Sequence, residues 1–205
     1  MSNNHAEERK FYVFGPDVTG GGRGHGLVFA NEDKLLTPPR LIVRPEQGGF
    51  PPLPEKPHIV YDPKVGDAPR DLEGGMSGYW FVSERLKKVF ESVDPEGFAF
   101  AECDYTLPDG SKGPTHYLCD VVRVLDVLDE ERSKMKPPTI YPGGEKVYDF
   151  AGQPSLRFKS STIGNGNTFR LLFRQSITIC DEFLFKACQA DRDFSGIRFR
   201  DANNL

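Results

Sequence analysis

Apolar residues recur at helical spacing most clearly at Leu86, Val89, Phe90 and Val93, which stand at i, i+3, i+4 and i+7. Ser83 precedes this stripe as an N-cap, and Glu84 places an anion in the first turn. Asp94-Pro95-Glu96-Gly97 ends it. The pattern predicts a strand over 79–82, a helix over 83–93 and a new strand from Phe98. Residues 102–106 and 115–119 are strand-like and flank Asp109-Gly110, which predicts a hairpin whose loop Pro108 and Pro114 lengthen. Val121, Val124, Leu125 and Leu128 again match helical spacing and predict a second helix, which Pro137-Pro138 must end. A third is expected after Asp181-Glu182, with Phe183, Leu184, Ala187 and Cys188 as its apolar face. Phe185 then points about 140° away from that stripe, so it needs other cover or stands exposed.

The ends of the chain read differently. Residues 1–9 are polar and charged and read as a disordered tail. A strand follows over 10–14, and a glycine-rich loop over 20–26. Residues 38–69 hold nine of the 17 prolines, so only short edge strands fit there, at 40–44 and 58–61, with the rest wrapping the surface. Residues 169–173 and 177–179 read as strand, and Gly196 precedes a last strand over 197–199. A weak repeat is visible: strand, capped helix, glycine, strand occurs over 80–100 and again over 178–199. The reading is one α+β domain over 10–205. An antiparallel or mixed sheet packs on about three helices, residues 10–75 are loop-rich, and 76–205 form the regular core.

Charge and chemistry narrow the function classes. The net charge of −4 weighs against a nucleic-acid binder. Cys103, Cys119, Cys180 and Cys188 form no C-x-x-C pair, so neither a zinc site nor a disulfide framework is expected. No secretory segment or run of about 18 apolar residues is present, which points to a cytoplasmic protein that does not enter a membrane. The glycine loop fits no phosphate-binding register, and His25, His58 and His116 stand outside metal or triad motifs. The Pro51–Pro57 spacing fits P-x-x-P but reads as a stiff surface loop. No catalytic residue, cofactor or metal ligand is therefore assigned.

Charge is unevenly spread. Residues 120–132 carry five acids against Arg123 and Arg132, and Asp126, Asp129, Glu130 and Glu131 are the densest set. Arg157, Lys159, Arg170 and Arg174 make a basic block. Such patches suit oriented docking on a protein partner. The four acids are candidate partner-binding residues, with Phe185 as a candidate aromatic anchor.

Four stretches resemble the immunity-protein family of bacterial polymorphic toxin systems often called family eleven. They are 10–14 with Asp17; 82–87 followed by Asp94-Pro95-Glu96-Gly97; 116–122 leading to 128–133; and Phe169-Arg170 with the capped helix and 196–199. The resemblance covers nearly the whole chain, best over 79–200, and rests on caps, turns and core positions. It implies a protein that binds a cognate toxin and blocks it, and it brings no catalytic residues. The competing classes are a small hydrolase or transferase and a regulatory subunit. An enzyme would show a pocket with convergent, perturbed titratable groups, whereas a binder would show a broad patch with aromatic anchors.

Overall fold

The computed structural model describes residues 9–19, 23–35, 44–190 and 193–205. In chain order the elements are β1 (Phe11–Pro16), β2 (Leu27–Phe29), α1 (Glu32–Leu35), β3 (His58–Tyr61), β4 (Leu72–Met76), β5 (Tyr79–Ser83), α2 (Glu84–Val93), β6 (Phe98–Thr106), β7 (His116–Val121) and β8 (Val124–Leu125). They continue as β9 (Thr139–Ile140), β10 (Lys146–Val147), α3 (Ser160–Ile163), β11 (Thr168–Leu171), β12 (Arg174–Asp181), α4 (Glu182–Ala190) and β13 (Ile197–Asp201). One sheet has the order β2-β3-β6-β7-β5-β4, a second β13-β1-β12-β11-β8, and β9-β10 forms a small ladder alone. The pairs β3–β6 and β8–β11 are parallel and the others antiparallel, so the sheets are mixed and the class is α+β.

Helix α2 forms where the spacing places it. Ser83 is extended and its Oγ accepts the Leu86 N–H at 3.3 Å. Leu86 and Phe90 are fully buried, and Val89 and Val93 pack beside them. The same Ser83 Oγ donates to Asp71 at 2.7 Å. Ser83→Ala is therefore expected to cost about 1–2 kcal/mol, read as a lower urea midpoint with unchanged slope. A midpoint equal to the parent's would show that the cap contributes nothing.

The repeat seen in the sequence has a structural counterpart. Strands β5 and β6 are parallel to each other with antiparallel β7 between them. Strands β12 and β13 are likewise parallel with antiparallel β1 between them. In each unit the last strand residue caps the helix, Ser83 for α2 and Asp181 for α4. Asp181 Oδ1 accepts from Phe183 N at 3.0 Å and Leu184 N at 3.2 Å. The two helices touch each other. One apolar cluster joins them to both sheets through Phe14, Val82, Phe90, Phe98, Cys180 and Leu184.

The opposite face of each sheet is covered by irregular chain. Ile59, Tyr79, Phe81 and Leu118 are capped by Phe50 and Leu53 from the proline-rich stretch. Phe11, Phe169, Leu171 and Ile179 are capped by Val127, Tyr148, Leu156 and Phe158. The proline-rich stretch is thus partly a core lid. Strand β3 is internal rather than an edge, because Pro57 falls just before the strand and every residue after it can donate to the ladder. Of the edge strand expected over 40–44, only Arg44 lies within the described residues. Of the expected tail, residues 1–8 lie outside them, whereas Arg9 is anchored. It donates to Asp181 at 2.7 Å and to Gly166 O at 2.6 Å.

Two helical expectations fail. No helix follows Val121: β7 ends there, Val124–Leu125 pairs in parallel with Arg170–Leu171, and Leu128 bridges Phe158. The apparent stripe serves two separate cores, Val121 one and Leu125 and Leu128 the other. Valines at 121, 122, 124 and 127 also favour extended backbone. On α4 the apolar face is rotated. Phe183 is 61% exposed, while Phe185 stacks on Tyr12 at 4.2 Å and meets Phe199 edge-on at 5.1 Å. Cover for Phe185 comes from Tyr12 of β1 and Phe199 of β13.

Candidate partner surface and the buried aspartates

The side chains that could carry chemistry are dispersed. His116 is buried, stacked on Phe81 at 4.6 Å, with Nδ1 2.9 Å from Pro114 O, and burial lowers its pKa. His25 Nε2 lies 2.7 Å from Gly74 O, and His58 Nε2 lies 2.9 Å from Thr106 Oγ1. All four cysteines are buried and free. Burial pushes the Cys119 and Cys180 thiols well above their ordinary range and those of Cys103 and Cys188 to about 12, so none is a thiolate nucleophile near neutral pH. Among the described residues, no three His, Cys, Asp or Glu side chains converge on a metal position, and no helix is long and apolar enough to cross a membrane.

Four separate buried aspartates are each met by arginine. Asp71 accepts from Arg85 at 2.6 Å through both oxygens, and from Ser83 Oγ and Ser195 N. Asp94 accepts from Arg123, Asn167 N and Thr168 N. Asp181 holds Arg9 and Asn167 Nδ2 as well as capping α4. Asp120, fully buried, takes Gly49 N at 2.8 Å and lies within 2.9 Å of Arg44 and 2.7 Å of Arg170. These carboxylates tie distant segments together, which explains why the Asp94-Pro95-Glu96-Gly97 turn matters. A Cβ on Gly97 would sit 2.6 Å from the Asp94 carboxylate, and one on Gly166 would sit 2.9 Å from the Arg123 guanidinium.

Asp71 makes a pH-dependent prediction. Burial pushes its carboxyl up, but bonds from Arg85, Ser195 and Ser83 outweigh that and hold it at about 2, against an ordinary 3.8. A depressed folded-state pKa gives stability that is complete above about pH 4 and is lost as pH falls toward about 2. Asp71→Asn should be less stable than the parent at neutral pH, and the gap should close at about pH 2. Urea melts at the two pH values decide it; a gap that persists in acid would rule out the ionised carboxylate as its source.

The expected partner residues do not share a helix face. Asp126, Glu130 and Glu131 are exposed on the irregular chain after β8, and Asp129 is half-buried, accepting Arg132 N at 3.1 Å. Glu130 accepts from Lys146 and from the Tyr148 hydroxyl, and the Lys146 bond lowers its pKa. That contact sets the acidic segment against the β9–β10 hairpin, whose Ile140 and Tyr141 are 62% and 51% exposed. Leu172, also exposed, donates its N–H to Leu125 O beside Asp126. The result is an outward apolar tip with an acidic margin, a combination that periodicity does not reveal because the hairpin turns at Pro142-Gly143-Gly144. Phe185 lies elsewhere, half-buried between Tyr12 and Phe199. The basic block is also divided, since Arg170 turns inward to Asp120 while Lys159 and Arg174 stay exposed.

A model of the Imm11 immunity protein family matches residues 10–204. No curated protein matches the chain. With nearly the whole described fold inside that match, the chain belongs to the Imm11 immunity protein family.

Proposed function

We propose that this protein binds a cognate bacterial toxin in the cytoplasm and neutralises it, with no catalytic step of its own. The family match over residues 10–204 carries the reading. The dispersed histidines and protonated, buried thiols support it, since a catalytic centre needs nucleophile, base and orienting group in mutual reach. The β9–β10 tip and the acidic chain beside it are the toxin surface in this reading. Tyr141 and Ile140 are the anchors, and Asp126, Asp129, Glu130 and Glu131 the charged margin. Phe185 contributes by packing on Tyr12, a stack at 4.2 Å.

The direct test is co-expression with the toxin domain encoded beside this gene. Survival and a stable complex are expected; cell death with no complex would overturn the proposal. Replacing the four acids with Asn and Gln should slow association at low salt more than it speeds dissociation, and the effect should fade at high salt. Association unchanged at low salt would remove these residues from the interface.

A further inference from the structure

A groove of about 620 Å³ opens where the two sheets approach each other. Its lining includes Phe14 of β1, Ile177 of β12 and Trp80 of β5. Four arginines reach it, Arg44, Arg170, Arg198 and Arg200, and among the described residues no carboxylate lines it. In a chain of net charge −4 this is a local inversion of sign. Arg44 and Arg170 share the single carboxylate of Asp120 beneath them, which leaves one positive charge in excess. Arg170 is 5% exposed and its Nε has no hydrogen-bond partner among the described residues. Arg198 and Arg200 are exposed on one face of β13 and make no ion pair among the described residues. Asp17 is near enough to feel Arg198, but its carboxylate already holds the Thr19 hydroxyl and N–H at 2.6 and 3.0 Å.

We infer that this groove receives an acidic, extended segment of a partner protein. Charge complementarity sets the sign: two exposed guanidiniums with no ion pair among the described residues, together with a pair that shares one carboxylate, call for carboxylates. The walls set the shape. They are strands with apolar and aromatic surface between the arginines, which suits a chain that alternates acidic with apolar side chains. A compact phosphate is usually held instead by converging backbone N–H groups at a glycine loop or helix start, and the groove is lined by neither α2 nor α4. Taking the toxin as the partner that supplies the segment rests on the functional reading above; the preference for an acidic peptide does not.

Trp80 is the single tryptophan of the chain and lines the groove, so its emission reports occupancy. The full-length protein is titrated with a peptide alternating Glu and Val, with its Lys-for-Glu counterpart, and with tripolyphosphate. The acidic peptide should shift Trp80 emission saturably and the basic one should not. Arg198→Glu with Arg200→Glu should weaken the effect about tenfold or more, with Arg198→Gln and Arg200→Gln intermediate and all melting temperatures near the parent's. No response to the acidic peptide, a response only to tripolyphosphate, or a response that survives both charge reversals would overturn the inference. Neutralisation of the neighbouring toxin domain is measured in parallel. A charge-reversed protein that loses the peptide yet protects fully would remove the toxin from the groove and leave the immunity reading standing. A parent that binds the peptide but protects against nothing would support the groove while sinking that reading.

Discussion

Asp94→Ala is expected to destabilise the protein by about 3–5 kcal/mol, the scale of a buried ion pair broken on one side. The carboxylate accepts four hydrogen bonds: Arg123 Nη1 at 2.7 Å, Arg123 Nη2 at 3.1 Å, and Asn167 N and Thr168 N at 2.8 Å each. Alanine leaves the buried Thr168 N–H and the part-buried Asn167 N–H without this acceptor, and leaves the Arg123 guanidinium with no counter-charge and only the Thr168 carbonyl, 2.6 Å from Nη1. Asparagine at this position would keep one acceptor oxygen but turn an NH2 toward Arg123, so Asp94→Asn should lose less than alanine and still more than a surface change. The pair separates charge from packing. If the cost comes from an orphaned guanidinium, Asp94→Ala combined with Arg123→Ala should lose less than the sum of the single changes. Urea melts of the two single variants and the double variant give the coupling. A loss below about 1 kcal/mol for Asp94→Ala would show that water replaces the carboxylate and that the α2–β11 link is dispensable.

Local order was legible in the residues, and long-range pairing was not. Helix α2 follows from Ser83, its stripe and Pro95, all close together in the chain, and the β6–β7 hairpin follows from Asp109-Gly110. The false helix after Val121 shows the limit. Spacing of i, i+3, i+4, i+7 also arises when an extended chain passes from one core to another, as Val121 and Leu128 do. Helix α4 shows a second limit. Three consecutive apolar residues, Phe183, Leu184 and Phe185, permit two equally good stripes in nine residues, and the choice is made by Tyr12 and Phe199 on distant strands. The aspartate–arginine pairs had no local signal, since Arg9 and Asp181 are 172 positions apart. The groove is assembled from separate segments, so its arginines look unrelated along the chain. Of the two charge patches legible in the sequence, the basic block is divided because Arg170 turns inward to Asp120, and the neighbour of the acidic cluster, the β9–β10 tip, was hidden behind prolines and glycines that read as loop.

Phe90→Ala should cost about 3–5 kcal/mol, and its contrast with Phe183→Ala tests the rotated face of α4 at the same time. Phe90 is fully buried, stacked on Phe98 with centroids 4.5 Å apart, and it meets Phe14 edge-on at 6.2 Å. It therefore touches both units of the repeat: Phe98 belongs to β6 and Phe14 to β1. Truncation removes the transfer energy of the ring and leaves a cavity at the joint between the sheets, where neither the paired helices nor the strands can close in freely. Phe183, by contrast, is 61% exposed, so its alanine variant should stay within about 0.5 kcal/mol of the parent. Toxin affinity measured on folded protein should be unchanged by Phe90→Ala, because the ring reaches no surface. Protection in the cell should fall only as the folded fraction falls. A Phe90→Ala protein as stable as its parent would mean that the helix pair does not bind the two sheets into one core. A Phe183→Ala loss of several kcal/mol would return that side chain to the interior and Phe185 to the surface.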